Sequence, residues 1–196
     1  MTKSWLKIDY LPIPLIALMV LTRFHHFGDT LHLPDASLAV FFFAGFYRAG
    51  AFGNKALFIF LLVMAGLIDY LAIANGTSDW CISPAYVFLI PTYAVMWLAG
   101  RYCSTFKALT LPELAISISL VALATSAAFA ISNGSFFLFS GRYEDLSFMA
   151  YALSVAQYFL PYISSVLIYA LAGLVIIKAV KALPALQTKP RQQSSS

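Results

Sequence analysis

Leu57-Phe58-Ile59-Phe60-Leu61-Leu62-Val63-Met64-Ala65-Gly66-Leu67 decides the fold. No face of this run is polar. A helix at the surface of a soluble domain keeps an apolar stripe and a polar back, and a transmembrane strand alternates apolar with polar. The run does neither, and Leu114 to Ile131 behaves the same way. Both read as helices bathed in hydrocarbon. Working outward, the whole chain of 196 residues is 61% hydrophobic and only 10% charged, with a mean hydropathy of +0.84. A soluble domain carries roughly 25% charge, so this one could not cover its surface. Disorder is excluded, because disordered chains are charge-rich and apolar-poor. Nucleic acid is not an expected partner despite a pI near 9.1. The 12 Lys and Arg are scattered and form no stripe. The expectation is an all-α integral membrane protein in a lipid bilayer.

A helix crossing ~30 Å of hydrocarbon needs about 20 mostly apolar residues. Six segments qualify: Ile8–Phe27, Ala36–Ala51, Lys55–Ala74, Ser83–Gly100, Leu111–Ser132 and Gln157–Lys178, the second being the shortest. With six crossings and a cytoplasmic N-terminus, Lys3, Lys7, Arg48, Lys55, Arg101, Lys107, Lys178, Lys181, Lys189 and Arg191 fall inside. Only Arg23 and Arg142 fall outside. That asymmetry is the positive-inside pattern of a bacterial inner membrane, and it places both termini in the cytoplasm. Lys3 and Lys7 ahead of an apolar run resemble a signal peptide, but no small-x-small cleavage site follows, so the segment reads as a span. Residues 1–183 form one membrane domain, and 184–196, with Pro and a Ser run, a flexible cytoplasmic tail. The uncharged stretch Leu146–Ile177 is too long for one perpendicular crossing and should begin at the interface. No Walker loop, G-x-G-x-x-G or C-x-x-C is present, so active transport would need a partner or an existing gradient.

The polar chemistry gathers at the outer side. His25, His26 and His32 lie in one loop with Asp29 and Asp35. Such a loop could ligate nickel, cobalt or zinc, or serve as a polar interfacial anchor. Cys81 precedes the fourth span and Cys103 follows it, roughly 33 Å apart along a helix, which excludes a disulfide between them. Cys81 is then a lone thiol on an oxidising side. Ser83-Pro84 reads as N-cap and first helical residue, so Cys81 stands ahead of a helix N-terminus that favours thiolate. Asp79 opposes that shift, and a small buried cysteine is the alternative. Asp69, at the outer third of the third span, needs Arg23, Arg142, a ligand or interfacial water. Phe136, Phe137, Phe139, Arg142, Tyr143 and Phe148 crowd the last outer connection as a lid or as a membrane-skimming segment.

Six short spans, the loop His25-His26-Phe27-Gly28-Asp29 and the element Asp79-Trp80-Cys81-Ile82-Ser83-Pro84-Ala85-Tyr86 resemble BtuM-type cobalamin uptake proteins. These are similar to the S-components of energy-coupling factor transporters. The resemblance spans about residues 8–180, and Trp80-Cys81 is its most specific part. It implies a six-helix S-component-like bundle with an outward-facing vitamin pocket. It also implies a cobalt-directed role for Cys81. On that reading Cys81 binds cobalt and aids loss of cyanide from cyanocobalamin, with His25 or His26 as the substitute ligand. Trp80, Tyr86 and Tyr143 would pack on the corrin, and Asp69 and Arg142 would bond its amides. The resemblance also implies that Asp79 belongs to the site. One departure stands out. S-components sharing an ATPase module commonly carry small residues four apart on the first helix, whereas Ala17 is flanked at that spacing by Ile13 and Leu21. No dedicated ATPase module is therefore expected. The rival reading is a transporter or binding protein for a simple divalent ion, held by His25, His26 and His32.

Overall fold

The computed structural model describes residues 11–23, 34–47, 50–80, 82–106 and 110–187, with side chains placed for all of these but 50–52 and 180–187. The described chain is helical, with no strand: α1 Pro12–Arg23, α2 Ser37–Phe46, α3 Gly50–Ala74, a 3-10 turn Pro84–Phe88 running into α4 Leu89–Cys103, α5 Leu111–Phe139, α6 Phe148–Ala156 and α7 Phe159–Gln187. Three stretches are long and apolar enough to cross a membrane: Gly53–Ala74, Leu111–Phe139 and Phe159–Ala179, with mean hydropathies of 2.5, 2.2 and 2.2. About three-quarters of each such stretch is not buried inside the protein. Ile59, Val63, Leu123, Ile168 and Ile176 face outward, which suits a helix whose solvent is lipid.

Side-chain contacts fix the directions. Phe88 stacks on Phe139 with ring centroids 4.9 Å apart, and Thr125 reaches the sulfur of Met96 at 3.7 Å, so α4 and α5 run antiparallel. Phe129 meets Phe159 and Tyr162, turning α7 back along α5. Arg23 at the end of α1 meets Ser37 at the start of α2, and Asn54 near the start of α3 meets Gly45 and Tyr47 at the end of α2. The helices therefore alternate in direction along the chain.

The second segment departs from expectation. Instead of a span over Ala36–Ala51, α2 has ten residues, every one buried, and is about 15 Å long. It is an inner rod enclosed by α1, α3, α4 and α7. Tyr47 is extended, with φ −67° and ψ 120°, and Asn54 donates to the carbonyls of Gly45 (3.2 Å) and Tyr47 (2.7 Å). A side chain of α3 thus satisfies carbonyls that a helix end leaves orphaned. The rod sits deep because glycine lets it: a Cβ on Gly100 would collide with the backbone of Phe42, and one on Gly45 with that of Trp97. Small residues do the same wherever helices must approach closely in lipid. Phe41, Phe42 and Phe46 are then fully enclosed, and Phe41 stacks on Tyr93 at 4.2 Å.

The uncharged stretch Leu146–Ile177 divides in two, as its length requires. The short α6 precedes α7 and buries Tyr151 while exposing Phe148, Met149 and Leu153. The final helix continues through Pro184 to Gln187, so the last helix runs past the expected start of the tail. A capping box starts α5: Thr110 accepts from the Glu113 backbone N–H at 3.4 Å, and the Glu113 carboxylate accepts from that of Thr110 at 3.0 Å.

Candidate functional site

One end of the bundle is hollow. A cavity of about 600 Å³ is enclosed by the end of α1 (Arg23), the lead into α2 and its start (Pro34, Asp35, Leu38), late α3 (Asp69), the 3-10 turn and early α4 (Ala85 to Tyr93), late α5 (Ser132 to Phe136) and the lead into α7 and its start (Tyr158 to Val166). All these helix ends converge because neighbours alternate in direction.

Arg23 builds its floor. The residue is 8% exposed and sits in the last turn of α1, where the helix dipole favours a cation. Its Nε donates to Asp69 Oδ1 at 2.7 Å and its Nη2 to Asp69 Oδ2 at 2.6 Å, a two-pronged pair of the strong kind. Its Nη1 donates to Tyr93 Oη at 2.7 Å and Ser37 Oγ at 3.0 Å, and lies 3.5 Å from Asp35 Oδ2. The Tyr86 hydroxyl donates to Asp69 Oδ2 at 2.6 Å. Asp35 in turn accepts from the backbone N–H and the hydroxyl of Ser37, at 2.9 and 2.6 Å, which ties down the start of α2. Thr22 accepts from the Ala36 N–H at 3.1 Å, and Tyr169 donates to the Pro34 carbonyl at 2.8 Å. One guanidinium therefore joins α1, α2, α3 and α4.

The opposite wall is neutral. Ser132, Asn133 and Ser135 of α5 face Tyr158, just ahead of α7, and Tyr162 and Ser165 within it. The Asn133 amide donates to its own helix, at Phe129 O, 2.9 Å away. Beside the cavity, Tyr143 packs on Phe136, Phe137 and Tyr151. The Arg142 guanidinium stacks over the Trp80 ring, 4.0 Å from its centroid, so two exposed connections at this end are clasped together.

The sequence-predicted residues divide accordingly. Asp69 and Tyr86 lie in the cavity wall and bond to each other; Arg23, expected as a partner for Asp69, is that partner. Arg142, the other partner considered, engages Trp80 instead. Trp80, Asp79, Arg142 and Tyr143 do not line the cavity. Cys81, His25, His26, Asp29 and His32 lie outside the described residues. Among the described residues, no group of three or more His, Cys, Asp or Glu is placed to hold a metal ion. Ser83 occupies the N-cap position with Pro84 behind it, as expected, but its side chain makes no capping bond and its Oγ is buried without a partner. Sequence reasoning missed Tyr93, Asn133 and Tyr162. Tyr93 had a signal: it follows Tyr86 by two helical turns and shares its face.

No known protein family matches the sequence, and no curated protein matches it either. The class defined by fold and site is an all-helical protein with three helices long and apolar enough to span a membrane, hollowed at one end around a buried Arg–Asp pair.

Proposed function

We propose that this chain takes up cobalamin (vitamin B12) across a bacterial inner membrane, crossing it six times with both termini cytoplasmic and binding the corrinoid at the hollow end of the bundle. The observation that carries the reading is the cavity itself. It opens among helix ends, its wall contains Asp69 and Tyr86, and Tyr86 belongs to the same short element as Cys81. Its polar groups are few and convergent in an apolar surround, the usual character of a small-molecule site. The basic residues support the orientation. Lys55, Arg101 and Lys178 stand at the far ends of α3, α4 and α7, and Arg23 and Arg142 at the cavity end, so the positive-inside rule turns the cavity outward.

A corrinoid is larger than about 600 Å³, so the cavity takes part of its periphery, with amide groups against Asp69 and the hydroxyl-lined wall. Cobalt in the bound vitamin is coordinated by the Cys81 sulfur. The sulfur takes the axial place that the nucleotide base vacates, and thiolate donation weakens the bond opposite it, so cyanide leaves cyanocobalamin with its electron pair and cobalt keeps its oxidation state. The test is visible absorption. Protein purified from cells supplied with vitamin B12 should carry corrin bands, and Cys81→Ala should change the spectrum of the bound vitamin. An identical spectrum and affinity in Cys81→Ala would refute the ligand assignment, and a colourless protein the substrate.

A further inference from the structure

We infer that this cavity selects its ligand by charge: it accepts neutral or cationic N–H donors and rejects a carboxylate at the same position, with Asp35 as the residue that sets the balance. The inference deepens the uptake reading and rests on it only for the identity of the natural ligand. Among the described lining residues the formal charges are Arg23 (+1), Asp35 (−1) and Asp69 (−1), a net −1; every other lining side chain is neutral. The cation is largely committed. Nε and one N–H of Nη2 go to Asp69, and Nη1 is shared by Tyr93, Ser37 and Asp35, which leaves a single Nη2 N–H.

The acceptors are not exhausted. A carboxylate offers about four lone-pair sites. Asp69 uses three, for Arg23 Nε, Arg23 Nη2 and the Tyr86 hydroxyl. Asp35 also uses three, for the Ser37 N–H, the Ser37 hydroxyl and Arg23. Each retains one. The Tyr86 proton points at Asp69, so its oxygen too meets a ligand as an acceptor. An incoming amide or ammonium finds lone pairs, including charged ones, which form the stronger bonds. Around Arg23 an incoming carboxylate meets the lone pairs of Asp35, Asp69 and Tyr86, in surroundings that screen poorly. There it can reach only the one remaining Nη2 N–H of Arg23 and the neutral Tyr93 hydroxyl, against the repulsion of two carboxylates. In a corrinoid the consequence concerns the rim: peripheral amides fit, and their hydrolysed acids do not.

The experiment uses the full chain in detergent at pH 7.5 and equilibrium dialysis. One arm compares cobalamin with its peripheral monocarboxylic acids. The second compares three naphthalene probes of one shape, bearing a carboxamide, a methylammonium or a carboxylate. The expected result is at least tenfold weaker binding of every carboxylate, narrowed about tenfold by Asp35→Asn, which brings the net charge to zero and leaves the Arg23–Asp69 pair intact. Equal binding of carboxylate and amide by the parent protein overturns the inference, whether or not Asp35→Asn folds. If the naphthalene ranking holds while cobalamin fails to bind, charge selection stands and the corrinoid reading falls.

Discussion

Removing Asp69 tests the floor of the cavity most directly. In Asp69→Ala, Arg23 keeps its place at the end of α1, 8% exposed, but loses the acceptors at 2.7 and 2.6 Å. What remains is Tyr93, Ser37 and the carboxylate of Asp35 at 3.5 Å. Breaking a buried ion pair from one side costs about 3–5 kcal/mol, because the surviving charge is stranded. Two features of the site lower that figure. Asp35 supplies a second negative charge, and the adjoining cavity admits water to the freed nitrogens. The lower end, about 3 kcal/mol, is therefore expected. For a chain of this length about 2–4 °C accompany each kcal/mol, so the thermal midpoint in detergent should fall by about 6–12 °C. Arg23→Met/Asp69→Leu removes both charges and the stranding with them. It should recover most of the loss, since replacing a whole buried pair by apolar groups is often close to neutral. A midpoint for Asp69→Ala within 2 °C of the parent, or a double variant as unstable as the sum of the two single ones, would refute the reasoning.

Three further outcomes follow from other contacts. Gly100→Ala drives a methyl into the Phe42 backbone; overpacking costs about 1–3 kcal/mol, and as backbone yields less than a side chain, a fall of several degrees in thermal midpoint is expected, whereas Gly134→Ala, with open space beside it, should leave the midpoint unchanged. The Trp80–Arg142 stack predicts a coupling of about 0.5–1 kcal/mol in a double-mutant cycle with Trp80→Ala and Arg142→Ala, read from thermal unfolding; additive effects would show that the clasp carries no energy. Burial, with Tyr143 adding to it, raises the Tyr151 phenol from 10.0 to about 12. Because the folded state holds this proton more tightly, its contribution to stability is complete below pH 10 and is lost as pH climbs from 10 to 12, so Tyr151→Phe should lose less stability than the parent across that window.

Much of this was written in the sequence, in proportion to how costly each feature would be to violate. The uniformly apolar runs around Leu61 and Val121 leave no choice but a helix in lipid, and α3 and α5 are there. A carboxylate at Asp69 cannot be left bare at membrane depth, so its need for an arginine was legible, and Arg23 meets it. Cheaper features were hidden. The fifth span, drawn over Leu111–Ser132, stops short of the polar Asn133-Gly134-Ser135. Instead the Asn133 and Ser135 side chains bond back to the carbonyls of Phe129 and Ser132, and the helix runs on to Phe139. A hydroxyl or amide that can satisfy itself within its own turn gives no outward sign of where it faces. The early end of α2 was illegible for a different reason: the residues that stop it, Asn54 and the glycine contact with α4, belong to other helices.

The short second helix is also what makes room for a ligand. Asp69 at the start of α2 and Asn54 at its end lie fifteen residues apart on α3, about 22 Å of helix, while α2 itself supplies about 15 Å. The enclosed rod therefore falls short of the helices around it. Its beginning is held low by Thr22, Asp35 and Ser37, and α3, α4, α5 and α7 all contribute cavity wall around that point. A full-length apolar helix in the same place would fill the hollow with side chains and give Arg23 only hydrocarbon to face. Depth and charge are thus one device: the low start of α2 leaves the space, and the Arg23–Asp69 pair both anchors that start and makes the space polar.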